Sequence, residues 1–533
     1  MDNADVVVLG SGGAGVLAAC AAADAGLDVA ILERSGSFGG TTAVSGGMLW
    51  LGNNGLSEQI GISDSRVETL TYLDSVTRGE IDPIHLETFV DTGPELIRYL
   101  HEETPVRLSP IDRPDYNAHW QGGKEGGRVL DNDPFSTAGH PGTAELLRTG
   151  PHFPPLTYQE RHDWRWAHRF DQSLIAQRRA DGVHTLGMAL IGGLIAGALE
   201  RGVRFVADTR AVELKPIRDG AGEVRCLTND TDSRWQAARA VVLATGGFEW
   251  EPTSRSTFLR GPVSTVVSPP WNVGDSLRMA MTAGAGLANM SEAWWAPTYQ
   301  VPGETYDGQV MTRHMIDDLA LPGTILVNRN GERFVNEATN YNDISKTFHN
   351  FDPMTYDFSN VPSYLVFDDR VKSDYSIATV TPGEAAPTWF NTSDTLDELA
   401  GRLGIDSRGL EETVHSFNQD AVRGRDTRFG RGERALDLYY GDPDHVPNTT
   451  LGTVERAPFH AIEVLPGVLG TKGGALTDID GRVLDHAHRP LPGLWAVGNA
   501  AASIMGPGYP GAGGSLGPIL TGALRCGRAI GSV

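Results

Sequence analysis

The sequence predicts an α/β protein in which a glycine-rich, parallel-sheet domain opens the chain, is interrupted by an α+β lobe and is completed by the C-terminal segment. Three observations carry that expectation. Residues 6–32 run apolar stretch, glycine turn, alanine-rich stretch, apolar stretch; the texture turns rich in Trp, Tyr, Asn and Asp near residue 284; and glycine-dense stretches return from Gly467. A chain of 533 residues is also too long for a single core.

Residues 6–9 are wholly apolar, which suits a strand buried on both faces. GSGGAG follows, then an alanine-rich helix over 16–25 and a strand over 28–32, which together make a parallel crossover unit. An amphipathic helix is expected over 83–100, and 105–155, dense in Gly, Pro and Asp, reads as an ordered cap or loop system. A helix over 184–201, a strand over 203–206 and a strand over 238–243 resume the alternation; a helical stretch over 396–422 falls in the second lobe. The expected division is 1–283 and 459–533 for the first domain and 284–458 for the inserted one.

Composition excludes several classes. Lys plus Arg number 44 against 67 Asp plus Glu, for a net charge of −23 with no basic run. Nucleic acid and anionic membrane surfaces are therefore not expected partners. Cys20, Cys226 and Cys526 lie in three distant segments, so neither a disulfide framework nor a metal site is expected. The most apolar stretch, 16–32, is broken by Asp24, Gly26 and Asp28 and falls short of the ~20 apolar residues of a membrane span. With no secretory signal, the expected location is the cytoplasm.

Gly10, Gly12 and Gly15 form GxGxxG between a strand and a helix, with Gly13 and Ala14 inside it and Glu33 closing the next strand. Gly10 permits the tight turn, Gly12 the approach of backbone amides to a pyrophosphate, and Gly15 close helix–strand packing; Glu33 can accept from a ribose hydroxyl. After Arg34, the residues Gly40, Thr41, Thr42, Ser45, Gly46 and Gly47 offer bare backbone and small hydroxyls to a polar ring edge. Ala244, Thr245 and Gly246 follow a strand; Gly498 and Asn499 form a second polar turn; and Gly514, Ser515 and Leu516 open the last helix. Separated segments converging on one large cofactor favour FAD over NAD. A single fingerprint implies one FAD, taken as non-covalently held, and no direct reduction by NADH.

Here the chain resembles a known family. GSGGAG with Glu33, GGTTAVSGG, ATGG, NRNGERFVNE, GLWAVGN and YPGAGGSLGP look like the fumarate reductase and succinate dehydrogenase flavoprotein superfamily, and within it the 3-ketosteroid dehydrogenase branch. The resemblance implies a Rossmann-type FAD domain interrupted by a catalytic domain, and a double bond introduced beside a ring ketone with hydride passing to flavin N5. It assigns Tyr509 and the Gly513 amide to the ketone oxygen, Tyr341 to the base and Tyr116, in RPDY, to support of that base. Where the branch has Pro-Glu after that tyrosine, this chain has Asn117 and Ala118, and Asn499 replaces the superfamily's acid. Fumarate reductases carry an arginine at the position of Tyr341, so dicarboxylate chemistry is disfavoured. The expected substrate is a 3-oxosteroid or a smaller cyclohexanone or oxocyclohexanecarboxylate, with a quinone, a dye-like carrier or O2 as acceptor. The rivals are a fumarate-reductase-like ene-reductase and an electron-transfer subunit without catalysis of its own. Trp164, Trp166, Trp294 and Trp295 are expected to serve core packing.

Overall fold

Residues 2–150, 153–218 and 221–532 are described in a computed structural model; Pro151 and His152, within the cap expected over 105–155, lie outside it. Strand β1 (Asp2–Leu9) pairs in parallel with β2 (Val29–Leu32) on one side, Val6 opposite Val29, and with Thr231–Leu243 on the other, Leu9 opposite Leu243. Arg204–Val206 extends the sheet beyond β2, and Pro490–Ala496 extends it beyond Thr231–Leu243, so its C-terminal strand pairs with a mid-chain one. β2 is buried throughout, and β1 and Thr231–Leu243 are buried over their last four residues, as a parallel sheet covered on both faces requires.

Helix α1 (Gly13–Ala23) starts three residues earlier than its alanine-rich run, because the fingerprint glycines form its first turn. It is apolar all round and buried all round. Helix Leu516–Gly531 crosses it so closely that a Cβ on Gly527 would lie 2.4 Å from the Ala18 carbonyl oxygen. The expected 184–201 helix spans Leu186–Glu200.

Among the described residues two four-stranded sheets build the second lobe. Ala293–Tyr306 runs antiparallel to Leu465–Thr471 and Gln309–His314. Thr324–Asn328, Ser363–Asp368, Phe459–Glu463 and Asn391–Ser393 form the other, covered by helices Leu396–Leu403 and Ser407–Arg423 through Leu399, Leu410 and Phe417. The cap contributes a small sheet of Leu49–Trp50, Val129–Asn132 and Leu108–Pro110.

Candidate active site

A single cavity of about 570 Å³ runs from the β1–α1 turn to the contact between the lobes. Every residue expected to touch cofactor or substrate lines it except Gly15 and Gly514, which pack behind its wall.

At one end the backbone is bare for a reason. A Cβ on Gly10, at φ +103°, would lie 2.4 Å from the Ala244 carbonyl oxygen, and one on Gly15 2.2 Å from that of Gly10. A Cβ on Gly12 would instead meet nothing nearer than Thr42 Oγ1 at 4.0 Å: that face of the turn is open. Thr42 Oγ1 accepts from the Gly13 amide at 3.0 Å. Glu33 accepts from the Ser11 hydroxyl at 2.7 Å and the Ser35 amide at 3.0 Å, which fixes its carboxylate at the strand end. Arg34 pairs with Asp275 and lies 5.3 Å over the Trp271 ring. Beyond, the Ser45 hydroxyl accepts from the Gly47 amide, and Asn272 donates to Thr41. Two helix N-termini, at Gly13 and Leu516, open on the cavity without side-chain caps. Open glycine backbone, helix-start amides without a capping side chain of their own and small hydroxyls fit a dinucleotide.

At the other end three tyrosines from distant segments meet. The Tyr341 hydroxyl donates to that of Tyr509 at 3.0 Å, with the rings edge-on at 5.7 Å. The Tyr116 ring stands 5.7 Å from Tyr341 and 5.3 Å from Tyr509; its hydroxyl is buried and forms no hydrogen bond of ordinary geometry. Burial first, and the neighbouring phenols second, push the Tyr341 and Tyr116 hydroxyls well above the ordinary value; burial also raises Tyr509. All three are therefore neutral phenols near pH 7.

The sequence elements explain the placement. Tyr341 begins the short helix Tyr341–Lys346, capped by Asn340, and Glu337 just before it is locked between Arg333 at 2.6 Å and Arg431 at 3.2 Å. Tyr116 is set by Asp115, which accepts from Trp50 Nε1 at 2.7 Å and Arg128 at 2.8 Å. The Pro510 carbonyl accepts from the Tyr72 hydroxyl and the Tyr116 amide, tying the Tyr509 loop to the Tyr116 loop. Gly513, at φ +87°, must be glycine: a Cβ would lie 2.4 Å from the Met48 carbonyl oxygen. Of the four tryptophans, Trp166 and Trp294 line the cavity, and Trp294 donates to Asn499 at 3.2 Å.

Sequence reasoning passed over Lys472. It is fully buried, donates to the Gly508 carbonyl at 2.6 Å and the Gly506 carbonyl at 3.1 Å, and sits 4.3 Å over the Trp294 ring beneath Tyr509. Burial, reinforced by Lys346, brings its ammonium down to about 7 from 10.5. Because the folded value lies below the unfolded one, the unfolded chain binds more protons across that window, and this group's contribution to stability rises with pH from about 7 to 10.5. Wild type should thus gain thermal stability relative to Lys472→Met as pH rises from 6.5 to 9.5. A constant difference in Tm across those pH values would mean that Lys472 is not titrating there.

Comparison with known proteins is consistent with this geometry. Residues 5–516 match the FAD binding domain family. The chain is 39% identical to 4-oxocyclohexanecarboxylate 2-dehydrogenase of Sinomonas cyclohexanicum, over 99% of this chain and 92% of that one. It is 33% identical to 3-oxosteroid 1-dehydrogenase of Mycobacterium tuberculosis, over 97% and 96%. The structure of 3-ketosteroid Δ1-dehydrogenase from Sterolibacterium denitrificans, in complex with 1,4-androstadiene-3,17-dione, superposes with a TM-score of 0.92 at 34% identity, covering both chains fully.

Proposed function

The chain belongs to the FAD binding domain family and to the 3-ketosteroid dehydrogenase branch of the fumarate reductase and succinate dehydrogenase flavoproteins, and from that premise we propose how its cavity desaturates a ring ketone. It is an FAD-dependent oxidoreductase acting on CH–CH bonds. FAD, when bound, supplies the two-electron acceptor for the hydrogen leaving the β carbon. The glycine turn, Glu33, Arg34, the 40–47 segment, the 244–246 turn and the Gly498 and Ser515 ends would hold it, without a covalent link.

The observation that carries the reading is the 3.0 Å hydrogen bond from Tyr341 to Tyr509 inside that cavity. With the ketone oxygen at the Tyr509 hydroxyl and the Gly513 amide, and the α carbon at Tyr341, three protons move in one direction. The α C–H breaks as its proton reaches Tyr341; the Tyr341 proton passes to Tyr509; the Tyr509 proton goes to the ketone oxygen. The product is an enol, and neither tyrosine has to ionise, which suits their raised values. Tyr116, packed edge-on against both, positions them. Once the β hydrogen has left with its electron pair, the enol proton passes to Tyr509 as Tyr509 returns its own to Tyr341 and Tyr341 releases one to solvent, which leaves the enone and both phenols neutral.

The test is exchange of the substrate's α hydrogens with D2O by the holoenzyme without an oxidant. The exchange rate should be flat between pH 8 and 10, above the Lys472 titration. A tenfold rise per pH unit would instead identify a phenolate base and sink the relay.

On the same reading the cofactor domain comprises 1–283 and the C-terminal segment, and the catalytic domain begins at 284. Because Phe459–Glu463 completes a second-lobe sheet, the returning junction is better drawn after it than at 459. No helix among the described residues is long and apolar enough to cross a membrane. A cytoplasmic location, and a quinone, dye-like carrier or O2 as acceptor, complete the proposal.

A further inference from the structure

One wall of the cavity holds a cation with no anion beside it. Arg113, three residues before Tyr116, is 2% exposed and lines the cavity. One Nη donates to the Tyr440 hydroxyl at 2.7 Å and the other contacts the Met48 sulfur at 3.6 Å; the guanidinium also hydrogen-bonds the Tyr158 hydroxyl, and Nε has no partner. The guanidinium carbon lies 4.4 Å from the Tyr158 ring centroid and 5.5 Å from that of Tyr440.

Among the described residues Arg113 makes no ion pair, although Asp317 and Asp318 line the same cavity. The other buried arginines are all neutralised within the chain: Arg128 by Asp64 and Asp115, Arg148 by Asp307, Arg333 by Glu337 and Asp426, and Arg431 by Glu337. A guanidinium stays protonated when buried, and its lost hydration is offset most fully by an anion. Aromatic faces compensate part of that cost. The unpartnered Nε–H, on a guanidinium whose other contacts are neutral phenols and a thioether, is a donor a carboxylate takes. Arg161, whose Nε is also unpartnered, lines the same cavity and adds positive charge.

We propose that Arg113 receives a carboxylate of the substrate, so that the ring ketone accepted here is an alicyclic oxo acid, held by its ketone at Tyr509 and by its carboxylate at Arg113, rather than a neutral steroid. This rests on the desaturase reading of the same cavity.

The experiment compares kcat/KM of the holoenzyme for 4-oxocyclohexanecarboxylate, its carboxamide and androst-4-ene-3,17-dione, and measures binding of cyclohexanecarboxylate, which has no ketone, by calorimetry. The acid should be preferred over the carboxamide by on the order of 10²-fold, as expected for hydrogen bonds to a charged group. In Arg113→Met the preference should shrink to a few-fold and cyclohexanecarboxylate binding should vanish. Should that variant not fold, the wild-type acid-to-amide ratio and the cyclohexanecarboxylate isotherm decide. Equal kcat/KM for acid and amide, or no binding of cyclohexanecarboxylate, overturns the carboxylate site while leaving the desaturase intact. Carboxylate binding that depends on Arg113, together with no turnover of any of the three ketones, keeps the site and overturns the desaturase instead.

Discussion

Tyr341→Phe should keep its flavin and lose desaturation by ~10²- to 10⁴-fold, the range by which a positioned proton acceptor accelerates a reaction. The substitution deletes one oxygen and leaves the ring, which packs edge-on against Tyr116 and Tyr509 and is 6% exposed. Neither the helix start at Asn340 nor the Arg333–Glu337 lock involves that oxygen, so thermal stability should change little. Exchange of α hydrogens with D2O, followed by NMR without an oxidant, should disappear with the turnover. Tyr509→Phe breaks the same relay at its ketone end and should cost roughly 10²- to 10³-fold, as loss of an oxyanion donor does. The two differ in binding: Tyr509→Phe should weaken affinity for a ketone, Tyr341→Phe should not. A Tyr341→Phe enzyme that desaturates cyclic ketones at the wild-type rate would remove the relay altogether.

Gly12→Val should abolish activity by a different route, through loss of FAD. Gly12 has extended backbone, φ −64° and ψ 170°, and a Cβ there faces open cavity, so the folded chain accommodates valine. The added methyls occupy the path by which a pyrophosphate reaches the α1 amides. The purified variant should be colourless, with a circular-dichroism spectrum and Tm matching wild type stripped of flavin. Gly15→Ala is the contrasting case: its Cβ collides with the Gly10 carbonyl, so the fold itself should suffer. A yellow, fully loaded Gly12→Val would reduce Gly12 to a turn residue.

The first crossover unit is legible because a strand buried on both faces has no polar alternation to hide it, and residues 6–9 and 29–32 are unbroken apolar runs. Ala293–Tyr306 was not legible: Pro297 and Gly303 interrupt its pattern, and its pairing with Leu465–Thr471 joins segments far apart in the chain. The same distinction runs through the site. The tyrosines and glycines sit in short local motifs that can be read off directly. Arg113 and Lys472 look like ordinary solvated charges in the sequence. Their meaning comes from Tyr158 and Tyr440 around one and from Trp294 and the Gly506–Gly508 carbonyls around the other, which only the folded chain brings together.

The place of Pro490–Ala496 in the main sheet sets an order on biosynthesis. A ribosome that has made Asp2–Leu9 and Thr231–Leu243 has produced a sheet whose outer edge, Val241–Leu243, waits for Leu494–Ala496 while the whole second lobe is translated. An open strand edge is prone to pairing with the wrong partner, so this interval is when the nascent chain most needs a chaperone. Gly498, Tyr509, Gly513 and the Leu516 helix emerge later still, so the cavity is finished only after they have been made. Flavin loading should accordingly wait for these residues, and chains truncated before residue 490 should purify colourless.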